Sequence, residues 1–208
     1  MTVLTAQPRD TGRVAELHTE RISEGFLATL GPTFLRLLYR RAVRSPDAFV
    51  LVATGCGLPG GDQPGGQQPG DQPVVGFVAG AHDLKRFYRS FLVRDGVVAG
   101  AAAAPRLLRS LARVVETLRY PAATGELPSA EILAVAVDGR YTGRGIGRRL
   151  VHAATSEFDA HGTPAVKVVA GSRNQPALRL YESCGFARRS TIAVHGDAPS
   201  EVLVWPSS

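Results

Sequence analysis

Residues Glu131 to Val151 read EILAVAVDGRYTGRGIGRRLV, and this stretch decides the fold. Its first part, Ile132 to Val137, is a continuous apolar run, as in a strand buried on both faces. Its last part opens an amphipathic helix expected from Gly145 to Ala160. Between them lies a loop with glycines at 139, 143, 145 and 147. Glycines there let backbone N–H groups approach a ligand without side-chain obstruction. The first turn of the helix leaves further N–H donors unpaired and carries the positive end of the helix dipole. A strand, a bare loop and a helix N-terminus in this order make an anion site suited to a pyrophosphate. Arg144, Arg148 and Arg149 add positive charge.

Two better-known phosphate loops fit poorly. A dinucleotide-binding fold carries G-x-G-x-x-G near its first strand and an acidic residue about 20 residues later. Here the loop comes late, the spacing is G-x-G-x-G, and no acidic residue ends the next strand. A P-loop needs Gly-Lys-Ser/Thr, which is absent.

Downstream, Ala165 to Ala170 (AVKVVA) predicts a strand parallel to the first, since a helix joins them. Residues Asn174 to Phe186 read NQPALRLYESCGF. Asn174 suits a helix N-cap and Pro176 the first turn. Gly185 suits the C-terminal cap, and Phe186 returns to the core. Arg188 to Val194 and Glu201 to Trp205 read as a closing pair of strands.

Upstream, Val3 to Ala6 predicts a short strand. A helix follows with Val14, Leu17, His18, Ile22 and Phe26 on one side, and a second uses Phe34, Leu37, Leu38 and Arg41 to Val43. Ala48 to Ala53 and Val74 to Ala81 read as neighbouring strands. The segment from Gly57 to Pro73, GLPGGDQPGGQQPGDQP, holds one sizeable apolar side chain apart from its prolines, and is expected to be a disordered hairpin insertion. Two helices are expected over 83–94 and 105–120, within an insertion spanning 82–128 that would shape an acceptor pocket. The second has leucines and valines at helical spacing, with Arg106, Arg109, Arg113 and Arg119 on the other faces.

The chain has 208 residues, 44% hydrophobic and 20% charged, which suits one packed domain. No apolar run approaches the ~20 residues that span a bilayer, and the N-terminus shows no secretory pattern, so no membrane partner is expected. Cys56 and Cys184 make neither a disulfide framework nor a metal cluster; a reduced cytoplasm and no metal are the expectation. The net charge of +6 fits nucleic acid, an anionic surface or a polyanionic small molecule, and equally a genome-wide arginine bias.

The two quoted segments, in this order and spacing, resemble the GNAT superfamily of acetyl-CoA-dependent N-acetyltransferases. The family's Arg/Gln-x-x-Gly-x-Gly/Ala pattern covers Thr142 to Gly147, with Thr142 in place of Arg or Gln. A second frame beginning at Arg140 satisfies the letters but shifts the loop by two residues. The resemblance implies a single α/β (α+β) domain: a mixed, mostly antiparallel sheet with two splayed parallel strands and helices on both faces. It implies acetyl-CoA as co-substrate, its pyrophosphate held by amides of Gly143, Arg144, Gly145, Ile146, Gly147 and Arg148. The pantetheine arm would run along Val135, Ala136 and Val137, and Asn174 would touch it. Tyr181 would face the thioester sulfur, and the Val135 N–H would receive the oxyanion. Glu131 stands where one branch of the family places its general base; His195 or water are the other candidates.

The function this implies is direct acetyl transfer to a primary amine, with a small molecule favoured over a protein and a homodimer left open. A non-catalytic acyl-CoA sensor is the second reading, and retention of Tyr181 argues against it. Nucleic-acid binding is the third, and the lack of aromatics interleaved with the arginines of 105–120 argues against it.

Overall fold

The computed structural model describes residues 1–22, 27, 30–55, 72–107, 127–195 and 198–206. Seven strands form one sheet: β1 (Thr2–Thr5), β2 (Ala48–Thr54), β3 (Val74–Ala81), β4 (Ala130–Val137), β5 (Val166–Gly171), β6 (Ala187–His195) and β7 (Ala198–Trp205). Their spatial order is β1-β2-β3-β4-β5-β7-β6. Among the described residues every neighbouring pair is antiparallel except β4 and β5. Among the described residues the helices on it are α1 (Thr11–Arg21), α2 (Pro32–Ala42), α3 (Leu84–Leu107), α4 (Ile146–Ala160) and α5 (Gln175–Ser183).

A sheet with helices on both faces has two cores. On one face, Val14 and Leu17 of α1, Leu35, Leu38 and Tyr39 of α2, and Phe87 and Phe91 of α3 close over Phe77, Ala134 and Ala136. On the other, Ile146, Leu150 and Phe158 of α4 and Leu178 and Tyr181 of α5 close over Val78, Ile132 and Val168. The helix expected over 83–94 does not stop there: α3 runs unbroken through 95–104 and takes in 105–107, the first described residues of the second expected helix. The stretch 95–104 is DGVVAGAAAA, and its alanines offset the cost of its two glycines. Residues 108–120, and 57–71 of the hairpin insertion, lie outside the described residues. In α2 the buried stripe is Leu35, Leu38, Tyr39 and Ala42, one position round from the expected one, with Phe34 and Leu37 at its margin.

Strand β4 departs from the expected burial on both faces. Its residues alternate between buried and half-buried. The alternation changes side at a bulge, because Ala79 pairs with Ala134 while Gly80 pairs with Ile132, leaving Leu133 unmatched. An extra residue in one strand of a pair reverses the faces beyond it. Hence Ala130 and Ile132 face α4 and α5, while Ala134 and Ala136 face α1 and α2. The parallel ladder ends at the same place. It joins Ala130, Glu131 and Ile132 to Val166, Lys167 and Val168 and goes no further. Among the described residues β4 pairs from Leu133 onward with β3 alone, while β5 continues along β7.

Candidate active site

The gap between β4 and β5 leads to the glycine loop. Asp138 follows β4, and its N–H donates to the Val75 carbonyl at 2.8 Å. Backbone groups alternate sides along a strand. Ala136 and Ala134 therefore turn their amides and carbonyls toward β3, and Val135 and Val137 turn theirs into the gap. Unpaired backbone at such a place calls for a partner. The Ala136 backbone is thereby spent on β3, and Val135 and Val137 are the strand residues whose backbone is presented to the gap.

Asp138 anchors the loop. Its carboxylate accepts from the Arg140 backbone N–H at 3.0 Å, from Arg140 Nη2 at 2.8 Å and from Arg13 Nη2 at 2.8 Å. The hydrogen bonds from Arg140, with Arg13 adding charge, hold the Asp138 carboxyl well below the usual carboxylate range. A one-turn 3-10 helix, Gly139–Tyr141, follows, and the Thr142 N–H closes it onto Gly139 O at 3.3 Å. Gly143 and Gly145 then take φ of +80° and +73°, a left-handed conformation costly for any residue with a Cβ. Gly145 is the N-cap of α4, and the first intrahelical bond is Arg149 N–H to Gly145 O. The amides of Ile146, Gly147 and Arg148 are thus the free donors of the first turn.

Those donors border a cleft of about 420 Å³. Thr142, Gly143, Gly145, Ile146, Gly147 and Arg148 line one side with Val137 and Tyr141, and Pro176, Leu180 and Ser183 of α5 line the other. Gly147 is the close approach between the two helices, since a Cβ there would sit 3.3 Å from Leu180 Cδ2. Arg144 lies over the Tyr141 ring, 5.3 Å from its centroid. Arg140 is committed to Asp138 and is not among the residues that line the cleft. Of the two sequence frames, the one from Thr142 to Gly147 coincides with the cleft.

Helix α5 begins where Asn174 Oδ1 accepts the Ala177 N–H at 3.2 Å, and ends at Gly185 (φ +88°), with Phe186 N–H bonded back to Tyr181 O. Both caps are the expected ones. Tyr181 does not line the loop cleft. It lies in the core at 6% exposure with its ring 5.6 Å from Phe186. Burial, then Cys184 and Glu131, push its phenol far above the ordinary range.

Glu131 is at the head of the gap. Lys167 is its partner in the parallel ladder, and the Lys167 Nζ lies 3.3 Å from Glu131 Oε2 while also donating to the Pro128 carbonyl. Burial raises the Glu131 carboxyl and Lys167 pulls it back. Tyr88 of α3 also feels Glu131; burial first and this carboxylate second raise its phenol. Lys167 and Tyr88 were not picked out from the sequence. The signal for Lys167 was a single lysine inside an apolar strand run. For Tyr88 there was none. His195 closes β6 opposite Ala198, and Gly196 and Asp197 lie outside the described residues. Cys184 is buried, and burial pushes its thiol up, away from the nucleophilic thiolate.

A seven-stranded mixed sheet that splays at a bulge beside a glycine-capped helix defines an acyltransferase-type architecture. The profile of the acetyltransferase (GNAT) family matches residues 70–186, and the chain belongs to that family. It is 38% identical over 72 residues to the mycothiol acetyltransferase of Thermomonospora curvata, and 37% identical over 76 residues to that of Nocardiopsis dassonvillei. Each match takes in 35% of this chain and 24% or 23% of the relative, so the chain spans about a quarter of the length of these curated relatives. In fold it is similar to Arabidopsis thaliana NAA60 in complex with acetyl-CoA (TM-score 0.59, 17% identity, 98% of this chain and 97% of that one). It is also similar to the ribosomal-protein-S18-alanine N-acetyltransferase of Escherichia coli (TM-score 0.56, 12% identity, 98% and 91%). Among the described residues no helix is long and apolar enough to cross a membrane.

Proposed function

We propose that the chain moves an acetyl group from acetyl-CoA to a primary amine by direct attack in a ternary complex. The observation that carries this reading is the continuity of the free amides at 146–148, the cleft and the β4–β5 gap. Together they offer a diphosphate grip at one end and unpaired strand backbone along the way. Family membership supports acetyl-CoA as the ligand of that path.

In this reading the Gly143 to Arg148 backbone holds the diphosphate, and Arg148 adds charge. Val135 and Val137 pair with the pantetheine amides as an added strand would. The thioester then comes to rest near the bulge at Leu133, with the Val135 N–H as oxyanion donor. Asn174 keeps its side-chain NH2 free for the coenzyme, because its carbonyl oxygen is used in the cap.

The amine must lose a proton to attack. A lysine-like amine is neutral in only about one part in a few thousand at pH 7, a cost of ~4–5 kcal/mol. Glu131 supplies the base, directly or through a water. A carboxyl raised by burial is a better base than a solvated one, and Lys167 keeps it ionised. The leaving thiolate, whose conjugate acid has a pKa near 8.5, receives a hydrogen bond from Tyr181. A phenol with a raised pKa stays protonated and so stays a donor. Tyr88 and Glu131 together border the acceptor side, which the first half of α3 shapes.

Release of free thiol from acetyl-CoA, measured against a panel of small and peptidyl amines that includes a mycothiol-type amine, tests the proposal. Turnover with at least one amine is expected. Tight CoA binding with no turnover would instead establish a sensor, and no CoA binding by folded protein would end both readings.

A further inference from the structure

At the opposite end of α4 from the glycine loop, the fold brings His82 to two groups of the α4 C-terminus that lie about 75 residues further along the chain. His82 follows the last residue of β3, Glu157 lies in the last turn of α4, and His161 caps that helix. One donor atom of each lies within 4.8 Å of the other two. We propose that these residues form a site for a borderline first-row divalent cation such as Zn2+ or Co2+.

The donor set argues for this class of ion. Two imidazoles and one carboxylate suit zinc, cobalt or nickel, whereas magnesium and calcium want oxygen alone. With both rings neutral the set carries a single negative charge, which favours a dication.

The rings are also prepared. The His82 backbone is tied to the Asp47 carbonyl at 2.9 Å, and its ring lies 5.3 Å from both Phe49 and Phe158. Its Nδ1 is buried and has no hydrogen-bond partner among the described residues, an arrangement that costs free energy unless something coordinates it. His161 Nδ1 lies 2.9 Å from the Glu157 carbonyl oxygen. A carbonyl only accepts, so Nδ1 carries the ring proton and Nε2 carries the lone pair. Backbone bonding through one ring nitrogen is how ligating histidines are commonly oriented.

The triangle must contract. Metal bonds of 2.0–2.1 Å set tetrahedral donors about 3.3 Å apart. The two rings now stack at 4.1 Å with an interplanar angle of 28°, and one must rotate to aim at a shared point. His161 is the ring that moves, since half of its side chain is exposed while the His82 ring is packed against Phe49 and Phe158; the shift must keep or re-form the His161 Nδ1–H bond to the Glu157 carbonyl. The cation would clamp the end of β3 to the last turn of α4 and leave one coordination position for water.

Metal-free full-length protein titrated with Co2+ alone tests this, since tetrahedral or five-coordinate cobalt absorbs in the visible. One equivalent of Co2+ should give a d–d band, and Zn2+ should displace it and raise Tm. His161→Ala and Glu157→Gln alter exposed or half-exposed side chains and should still fold, with Co2+ affinity lowered at least about tenfold and the Zn2+-induced Tm rise lost. No band at stoichiometric Co2+, or a band of unchanged affinity in both variants, overturns the proposal.

Discussion

Glu131 and Lys167 face each other across the last rungs of the parallel β4–β5 ladder, with Nζ 3.3 Å from the carboxylate, just before the two strands part. An ion pair thus stands where the sheet opens, and the candidate base is held by a residue of the strand it is about to leave. If Lys167 keeps Glu131 ionised, removing it must weaken the base at low pH. Lys167→Met should shift the acidic limb of the kcat/KM profile to higher pH, because the desolvation that raises the Glu131 carboxyl would act unopposed. Glu131→Gln should remove that limb and lower kcat by about 10²-fold. A profile unmoved in both variants excludes Glu131 as the base.

Tyr181→Phe should lower kcat by roughly 10²-fold while leaving CoA affinity nearly intact. The ring is buried beside Phe186, so the phenylalanine keeps the packing and loses only the hydroxyl. Turnover assays and calorimetry with CoA separate the two effects. Unchanged turnover would take the tyrosine out of the mechanism.

Gly143 and Gly145 stand in open space, so the obstacle to alanine is conformational, not steric. Either Gly→Ala change imposes a left-handed conformation costing roughly 1–2 kcal/mol. The loop is expected to relax away from it, and CoA binding should weaken about tenfold or more by calorimetry. Gly147→Ala should act differently, by pushing Leu180 across the cleft.

Asp138 and its two arginines anchor the loop to α1. Its folded pKa is depressed, so its stabilisation is fully present above the unfolded carboxyl value near 4 and is lost as pH falls through the lower folded value. Asp138→Asn should therefore cost about 1–3 kcal/mol at neutral pH in urea unfolding. The gap to wild type should close progressively below pH ~4.

His18 predicts acid sensitivity at milder pH. It is 1% exposed, its Nδ1 lies 2.5 Å from the Tyr39 hydroxyl, and its Nε2 has no partner among the described residues. Desolvation lowers its pKa to about 4. Its contribution is then present above the unfolded value near 6.5 and is lost as pH falls toward 4, an effect of about 3 kcal/mol. Chemical denaturation of wild type across this range should show the loss, and His18→Leu should show a flatter dependence.

Much of this was legible in the letters because it is local. The order of strands and helices follows from runs of apolar residues and their periods. The caps at Asn174 and Gly185 and the left-handed turns at Gly143 and Gly145 follow from what each residue's own backbone allows. Where reading failed, the cause was a competing local term. Alanines carried α3 through 95–104 past two glycines, and an apolar run in β4 concealed a bulge that reversed its faces.

Local chemistry along the chain thus determined the glycine loop, the helix that follows it and the family to which both belong. Tertiary structure alone decided that the ladder stops at Ile132, that Lys167 meets Glu131, that Tyr88 feels the same carboxylate, and that His82 meets Glu157 and His161. Each of these is a meeting of segments far apart in the chain. Such meetings are set by strand register and by how helices settle over two cores, and side-chain periodicity specifies a face without specifying the partner that will lie across it.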